Sequence, residues 1–193
     1  MFSFCKPGED AIDRFLREQS ALAFSHAHVG ATREELPAGY HVDRVRVLLG
    51  SGEAAFEAGK GAFRRWEQFQ TRWTRLFRDD TPIEPGRTVV VRARALGLWS
   101  LNACRVIYVV DENGPVCRFG FAYGTLPGHI EAGEERFVVE WDCGDDRVWY
   151  DVVAFVRPRH FLARIGWVYG LWKVNQFRRD SAEALREAVR RGS

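Results

Sequence analysis

Between residues 88 and 156 the chain alternates apolar and polar side chains in five successive runs, each closed by turn-forming residues. Val89, Val91 and Ala93 alternate with Arg92 and Arg94. Cys104, Val106 and Tyr108 alternate with Arg105, Ile107 and Val109. Phe119, Phe121 and Tyr123 share one face of the third run, and Phe137, Val139 and Trp141 one face of the fourth. Val148, Tyr150, Val152, Ala154 and Val156 share a face of the fifth. Period two is the mark of a strand with one buried side. Asp111-Glu112-Asn113-Gly114 predicts a hairpin turn, because Asn-Gly readily takes positive φ, and Gly144-Asp145-Asp146 predicts another. Successive hairpins build an antiparallel sheet, which restricts this chain to all-β or α+β classes.

The flanks carry helical periods. Residues 7–19 predict a short helix, with Glu9 and Asp10 in its first turn and Ile12, Phe15 and Leu16 on one face. A short strand at 21–24 and a loop at 29–39 follow, then a strand at 40–49 ending in Gly50-Ser51-Gly52. Phe56, Phe63, Trp66, Phe69, Trp73, Leu76 and Phe77 recur at helical steps, predicting one long aromatic-faced helix over 53–77. Pro158 closes the sheet region. Residues 161–190 then predict a long helix with Phe161, Ile165, Val168, Leu171 and Trp172 on its apolar face. The expected fold is α+β: a curved antiparallel sheet wrapped around the long C-terminal helix, with the helices on one face. Residues 1–39 read as an extension packed on a domain spanning 40–193. A groove is expected between the sheet and the last helix.

Charge and cysteine usage exclude several functions. A net charge of +2 lacks the basic excess of a nucleic-acid binder. Cys5, Cys104, Cys117 and Cys143 form no CxxC pair or Cys/His spacing, which points to a reduced, cytoplasmic protein. His26 and His28 have no third ligand in view, so neither a metal nor a cofactor is expected. The step at Gly50 lacks the Gly-Lys-Ser/Thr of a phosphate loop. No apolar stretch is long enough to span a bilayer, and no signal segment is expected. Seven Trp in 193 residues must fill a core, line a cavity or form an interface.

The richest chemistry lies in residues 118–137, RFGFAYGTLPGHIEAGEERF. Gly124, Pro127, Gly128 and Gly133 punctuate a connection between two strands that also holds Thr125, His129, Glu131, Glu134 and Glu135. Loops held by rigid strands often carry function. His129 with Glu134 or Glu135 is a candidate general acid/base pair. Tyr123, Gly124, Thr125 and His129, with Trp99, Tyr108 and Tyr150, are candidate ligand contacts. The plainer alternative is architectural: glycines in a tight turn, His129 capping a loop, glutamates paired with arginines.

This stretch resembles the signature of the family called domain of unknown function 1990. Gly50-x-Gly52, Pro82-Ile83-x-x-Gly86, Trp99 with Asn102-x-Cys104-Arg105, Ala154-Phe155 with Arg157-Pro158, and Phe177-Arg178-Arg179-Asp180-Ser181 agree with it. The resemblance covers roughly residues 10–190. It implies a bacterial or plant protein of START-like, helix-grip fold, an architecture shared with the birch-pollen allergen family, and implies no particular activity. Where the family usually has Ser before Arg-Pro, this chain has Val156.

Three functional readings remain open at this level. The first is a module that binds a small hydrophobic or amphipathic molecule in the groove. The second is a small enzyme working through His129. The third is a protein-interaction or homodimer module using the broad apolar face of the last helix.

Overall fold

The computed structural model describes residues 2–159 and 167–192. Its strands are β1 (Phe2–Ser3), β2 (His41–Ser51), β3 (Thr74–Phe77), β4 (Thr88–Ala95), β5 (Leu98–Glu112), β6 (Val116–Thr125), β7 (Glu131–Asp142) and β8 (Arg147–Pro158). Its helices are α1 (Glu9–Ser20), α2 (Gly52–Arg64) and α3 (Trp167–Gly192), with 3-10 turns at Ala31–Arg33 and Glu67–Phe69. All pairings are antiparallel, in the order β2-β8-β7-β6-β5-β4-β3. β1 adds to β5 through Phe2↔Ser100 and Ser3↔Trp99.

The five alternating runs are β4 to β8. The β5–β6 hairpin forms where predicted, but neither Asn113 nor Gly114 takes positive φ. Positive φ is needed instead at Leu96 (50°) and Gly97 (78°), the two residues joining β4 to β5, a loop length that favours mirror-image turns. Residues 21–24 form no strand; a turn there leads to Ser25, whose amide donates to the Thr125 carbonyl at 2.9 Å.

The predicted helix over 53–77 is a correction. α2 ends at Arg64, and Trp66 adopts the left-handed conformation, with φ 53°. The chain then runs through the 3-10 turn and returns to the sheet as β3. Phe56, Phe63, Trp66, Phe69 and Leu76 all reach the same core. Their spacing therefore reports a shared destination, not one continuous helix. The Trp66 indole N–H donates to the Thr81 carbonyl at 2.7 Å, tying the turn to the segment after β3.

One face of the sheet packs against α2 and α3. Phe121 and Phe137 are fully buried there, with Trp66 stacked edge-on to Phe121 at 4.8 Å and Leu185 of α3 inside. Full burial of a side chain of that size is worth about 1.5–3 kcal/mol, so this aromatic cluster holds the helices onto the sheet. The helices do not all share that face. Ile12 and Phe15 of α1 pack with Val90, Leu101 and Ala103 on the opposite side. The predicted C-terminal helix is present from Trp167. Phe161 and Ile165, and the side chains of Val168 and Leu171, lie outside the described residues.

Candidate functional site

A cavity of about 450 Å³ lies between the sheet and α3. Period two decides which strand residues reach it. On β6, Phe119, Phe121 and Tyr123 point into the core side, and Thr125 continues that face into the cavity. On β7 the same face carries Phe137, Glu135, Gly133 and Glu131. From α3 come Lys173, Val174, Phe177 and Arg178. Phe69 stacks on Phe177 at 5.4 Å between centroids and, with Trp73, makes an aromatic wall.

The three glutamates of the 118–137 stretch separate. Glu135 stands opposite Tyr123 and accepts a hydrogen bond from its phenol at 2.9 Å. Glu131 makes no ion pair among the described residues, and neither does Glu135. Both are partly accessible, yet surrounded by enough protein that burial pushes each carboxyl up to about 7. For Glu135 the Tyr123 hydrogen bond pulls back against burial, and the neighbouring Glu131 adds to it. Glu134 has the opposite parity. Its buried carboxylate accepts from the amides of Gly30 (2.6 Å) and Thr32 (3.0 Å) and from the Thr32 hydroxyl. It anchors the N-terminal 3-10 turn on the far side of the sheet.

His129 lines the cavity, but not as half of a His–carboxylate pair. Its Nδ1 accepts from the Glu131 amide at 3.0 Å, since an N–H can only donate. Burial lowers its pKa to about 4, so the ring is neutral near pH 7. The predicted pairing of His129 with Glu134 or Glu135 is absent from its hydrogen bonds. Thr125 ties the ends of two strands together: its Oγ1 accepts from the Gly133 amide at 2.9 Å and lies 2.6 Å from the Ser25 hydroxyl.

The remaining expected contacts are dispersed. A bulge between Val106 and Tyr108 shifts the β5 register, so Tyr108 does not share the face of Val106. Its phenol meets the Thr32 hydroxyl at 2.7 Å beside Glu134, under the Arg33 guanidinium. Gly124 lies beneath Phe24 and His26; a Cβ there would come within 2.8 Å of Phe24. Trp99 sits between the Arg92 and Arg94 guanidiniums. Tyr150 is buried in the core and bonds the Ser181 hydroxyl at 2.7 Å. None of these four lines the cavity.

Other lining residues escaped the sequence reading. Asn102 shares the parity of Cys104 on β5, and that parity was the available signal. Its amide N–H₂ group faces Ser100 Oγ at 3.1 Å, while its Oδ1 has no partner among the described residues. Arg178 stands in the arginine-rich part of α3, where charge alone reads as solvated surface. It is only 5% exposed and pairs with Asp43 of β2; burial lowers its pKa to about 10. The Cys104 thiol is pushed well up, first by burial and then by the Glu135 and Glu131 carboxyls.

Among the described residues no group of three His, Cys, Asp or Glu is placed to hold a metal ion. No described helix is long and apolar enough to cross a membrane.

Comparison with known proteins places this architecture. The family described as domain of unknown function (DUF1990) matches residues 25–184. A UPF0548 protein of Dictyostelium discoideum is 32% identical over 98% of this chain and 96% of its own length. A UPF0548 protein of Arabidopsis thaliana is 36% identical over 78% of this chain and 74% of its own. Among solved structures, the crystal structure of Ara h 8.0201 superposes with a TM-score of 0.50 at 12% identity, over 78% of this chain and 98% of that one. That likeness shows the helix-grip fold alone. With the sheet gripping α3 and the family match spanning most of the sequence, the chain belongs to the DUF1990 family.

Proposed function

We propose that this protein binds a small, mainly apolar molecule in the cavity between the sheet and α3. The observation that carries the reading is the cavity itself. Its volume, about 450 Å³, lies in the range of small-molecule sites. Its walls are Phe69, Trp73, Val91, Val174 and Phe177, with a few polar groups at Thr125, His129, Glu131 and Glu135. An apolar body with few, placed polar contacts is the usual composition of such a site. A core built only for stability would close this space, because an unfilled void costs packing energy.

Native mass spectrometry of freshly purified protein tests the reading. A co-purified small molecule, released on denaturation, is the expected result. A clean apo mass, together with no thermal shift across a panel of hydrophobic compounds, overturns it.

A further inference from the structure

We infer that the ligand presents a protonated amine to the β7 side of the cavity, where Glu131, Glu135 and Asn102 offer acceptors that the described residues leave wholly or partly free. This rests on the cavity being a ligand site and names the chemistry it selects.

The argument is an accounting of donors and acceptors. Glu131 has no hydrogen-bonded or ionic partner for its carboxylate among the described residues. Glu135 accepts one hydrogen bond, from Tyr123, and a carboxylate can accept several. Asn102 is 6% exposed, lines the same cavity, and has no donor for its Oδ1 among the described residues. Buried acceptors normally have partners, and one without calls for an explanation. Asn102 is such a group, and the partly accessible Glu131 and Glu135 carboxyls in the same cavity have accepting capacity to spare; donors on a ligand would meet all three.

The described cationic side chains that line the cavity do not supply them. Arg178 pairs with Asp43, although its Nε has no hydrogen-bond partner among the described residues. Lys173 bonds Gln176 at 2.9 Å and lies over the Trp73 ring at 4.3 Å. His129 uses Nδ1 on the Glu131 amide and is neutral near pH 7. Cys104 and Tyr123, the other titratable groups beside the acids, are held in their neutral forms by burial. The acids therefore face no fixed positive charge among these groups. In the empty cavity they share neutral and ionised forms near pH 7, because burial disfavours the charge. A bound ammonium restores the charged form by direct pairing, through charge-assisted hydrogen bonds that are stronger than neutral ones. Aromatic walls at Phe69, Trp73 and Phe177 suit a flat or alkyl body behind that amine.

The test uses one body with three head groups: 1-naphthylmethylamine, 1-naphthalenemethanol and 1-naphthoic acid, titrated calorimetrically into the full chain at pH 7.5. An octyl series (octylamine, octanol, octanoic acid) is run beside it. The amines are expected to bind at least tenfold more tightly than the matched alcohols, and the acids weakest. Glu131→Gln and Glu135→Gln, each checked for a cooperative melt, are expected to cut the amine advantage over the matched alcohol at least tenfold. Two separate substitutions keep the test decisive should one disturb folding. Equal affinity for the three heads overturns the amine inference and leaves the cavity reading standing. Preference for the acids also overturns it, and shifts recognition to Arg178. No binding by either series, with no ligand found by native mass spectrometry, overturns both readings.

Discussion

Tyr123 stands directly opposite Glu135 across the β6–β7 ladder, and its phenol donates to that carboxylate at 2.9 Å. The pair is the seam between core and cavity. Tyr123 packs on Phe137 at 5.3 Å on the core side, and Glu135 opens onto the cavity. Removing the hydroxyl with Tyr123→Phe takes away the one interaction that holds the Glu135 carboxyl down against burial. The Glu135 titration midpoint should therefore move upward from about 7. Carbon-13 NMR of glutamate-labelled protein reads this directly. Stability should fall by only about 1 kcal/mol, the net worth of one hydrogen bond. A midpoint that stays or falls rejects this account of the pair.

The pH dependence of stability has opposed contributions. Glu131 and Glu135 have folded pKa values raised from 4.5 to about 7. Their contribution is full below about pH 4.5 and is lost as pH rises through about 7. His26 and His129 are lowered from 6.5 to about 4, so theirs is full above about pH 6.5 and is lost as pH falls through about 4. The four nearly cancel in the native protein, so the informative quantity is a difference. Glu131→Gln should gain stability relative to the parent as pH rises from 4.5 to 7, at up to about 1.4 kcal/mol per pH unit. Denaturation midpoints at a series of pH values measure it. A difference that does not change with pH rejects the raised carboxyl.

Gly124 is a packing glycine. An added Cβ would meet Phe24 at 2.8 Å, His26 at 2.9 Å and Ile107 at 3.0 Å. Gly124→Ala is expected to cost about 1–3 kcal/mol by overpacking. The neighbours are side-chain ends, so Phe24→Ala in the same chain should recover part of the loss, a coupling that a double-mutant cycle by chemical denaturation would reveal. Purely additive losses would show that the clash is not what matters.

Glu134 docks the N-terminal segment. Its carboxylate satisfies the Gly30 and Thr32 amides and the Thr32 hydroxyl, and Arg136 reaches the Thr32 carbonyl at 3.2 Å. Glu134→Ala should cost about 1.5–3 kcal/mol, the range for hydrogen bonds to a charged group. Hydrogen exchange should show the amides of Gly30 and Thr32 losing protection first. Unchanged protection there would mean that the turn is held by other contacts.

The alternation over residues 88–156 made the sheet legible, because side-chain period two follows from strand geometry without reference to partners. α1 was legible for the same local reason, through the Ile12 and Phe15 spacing. The end of α2 was not. Aromatics at helical steps reach the core whether the chain stays helical or turns left-handed at Trp66 and returns as a strand. Tyr108 was misplaced because a bulge is one residue with no obligatory sequence mark, and it reverses the face of the residues beyond it.

The candidate site divides in the same way. The sequence alone located the stretch with the most chemistry, the 118–137 connection, and identified its residue types. It also implied the helix-grip architecture through its family signature. Only the tertiary structure decided that Glu131 and Glu135 face the cavity while Glu134 faces the N-terminal turn. Only it could show that His129 bonds a backbone amide, and that Asn102, Phe177 and Arg178 line the same cavity as those acids from distant parts of the chain. The physical reason is range. Local periodicity reports how one segment turns its side chains, whereas a cavity is enclosed by segments far apart in sequence. Which face of a strand looks inward depends on register, bulges and the helix that covers it.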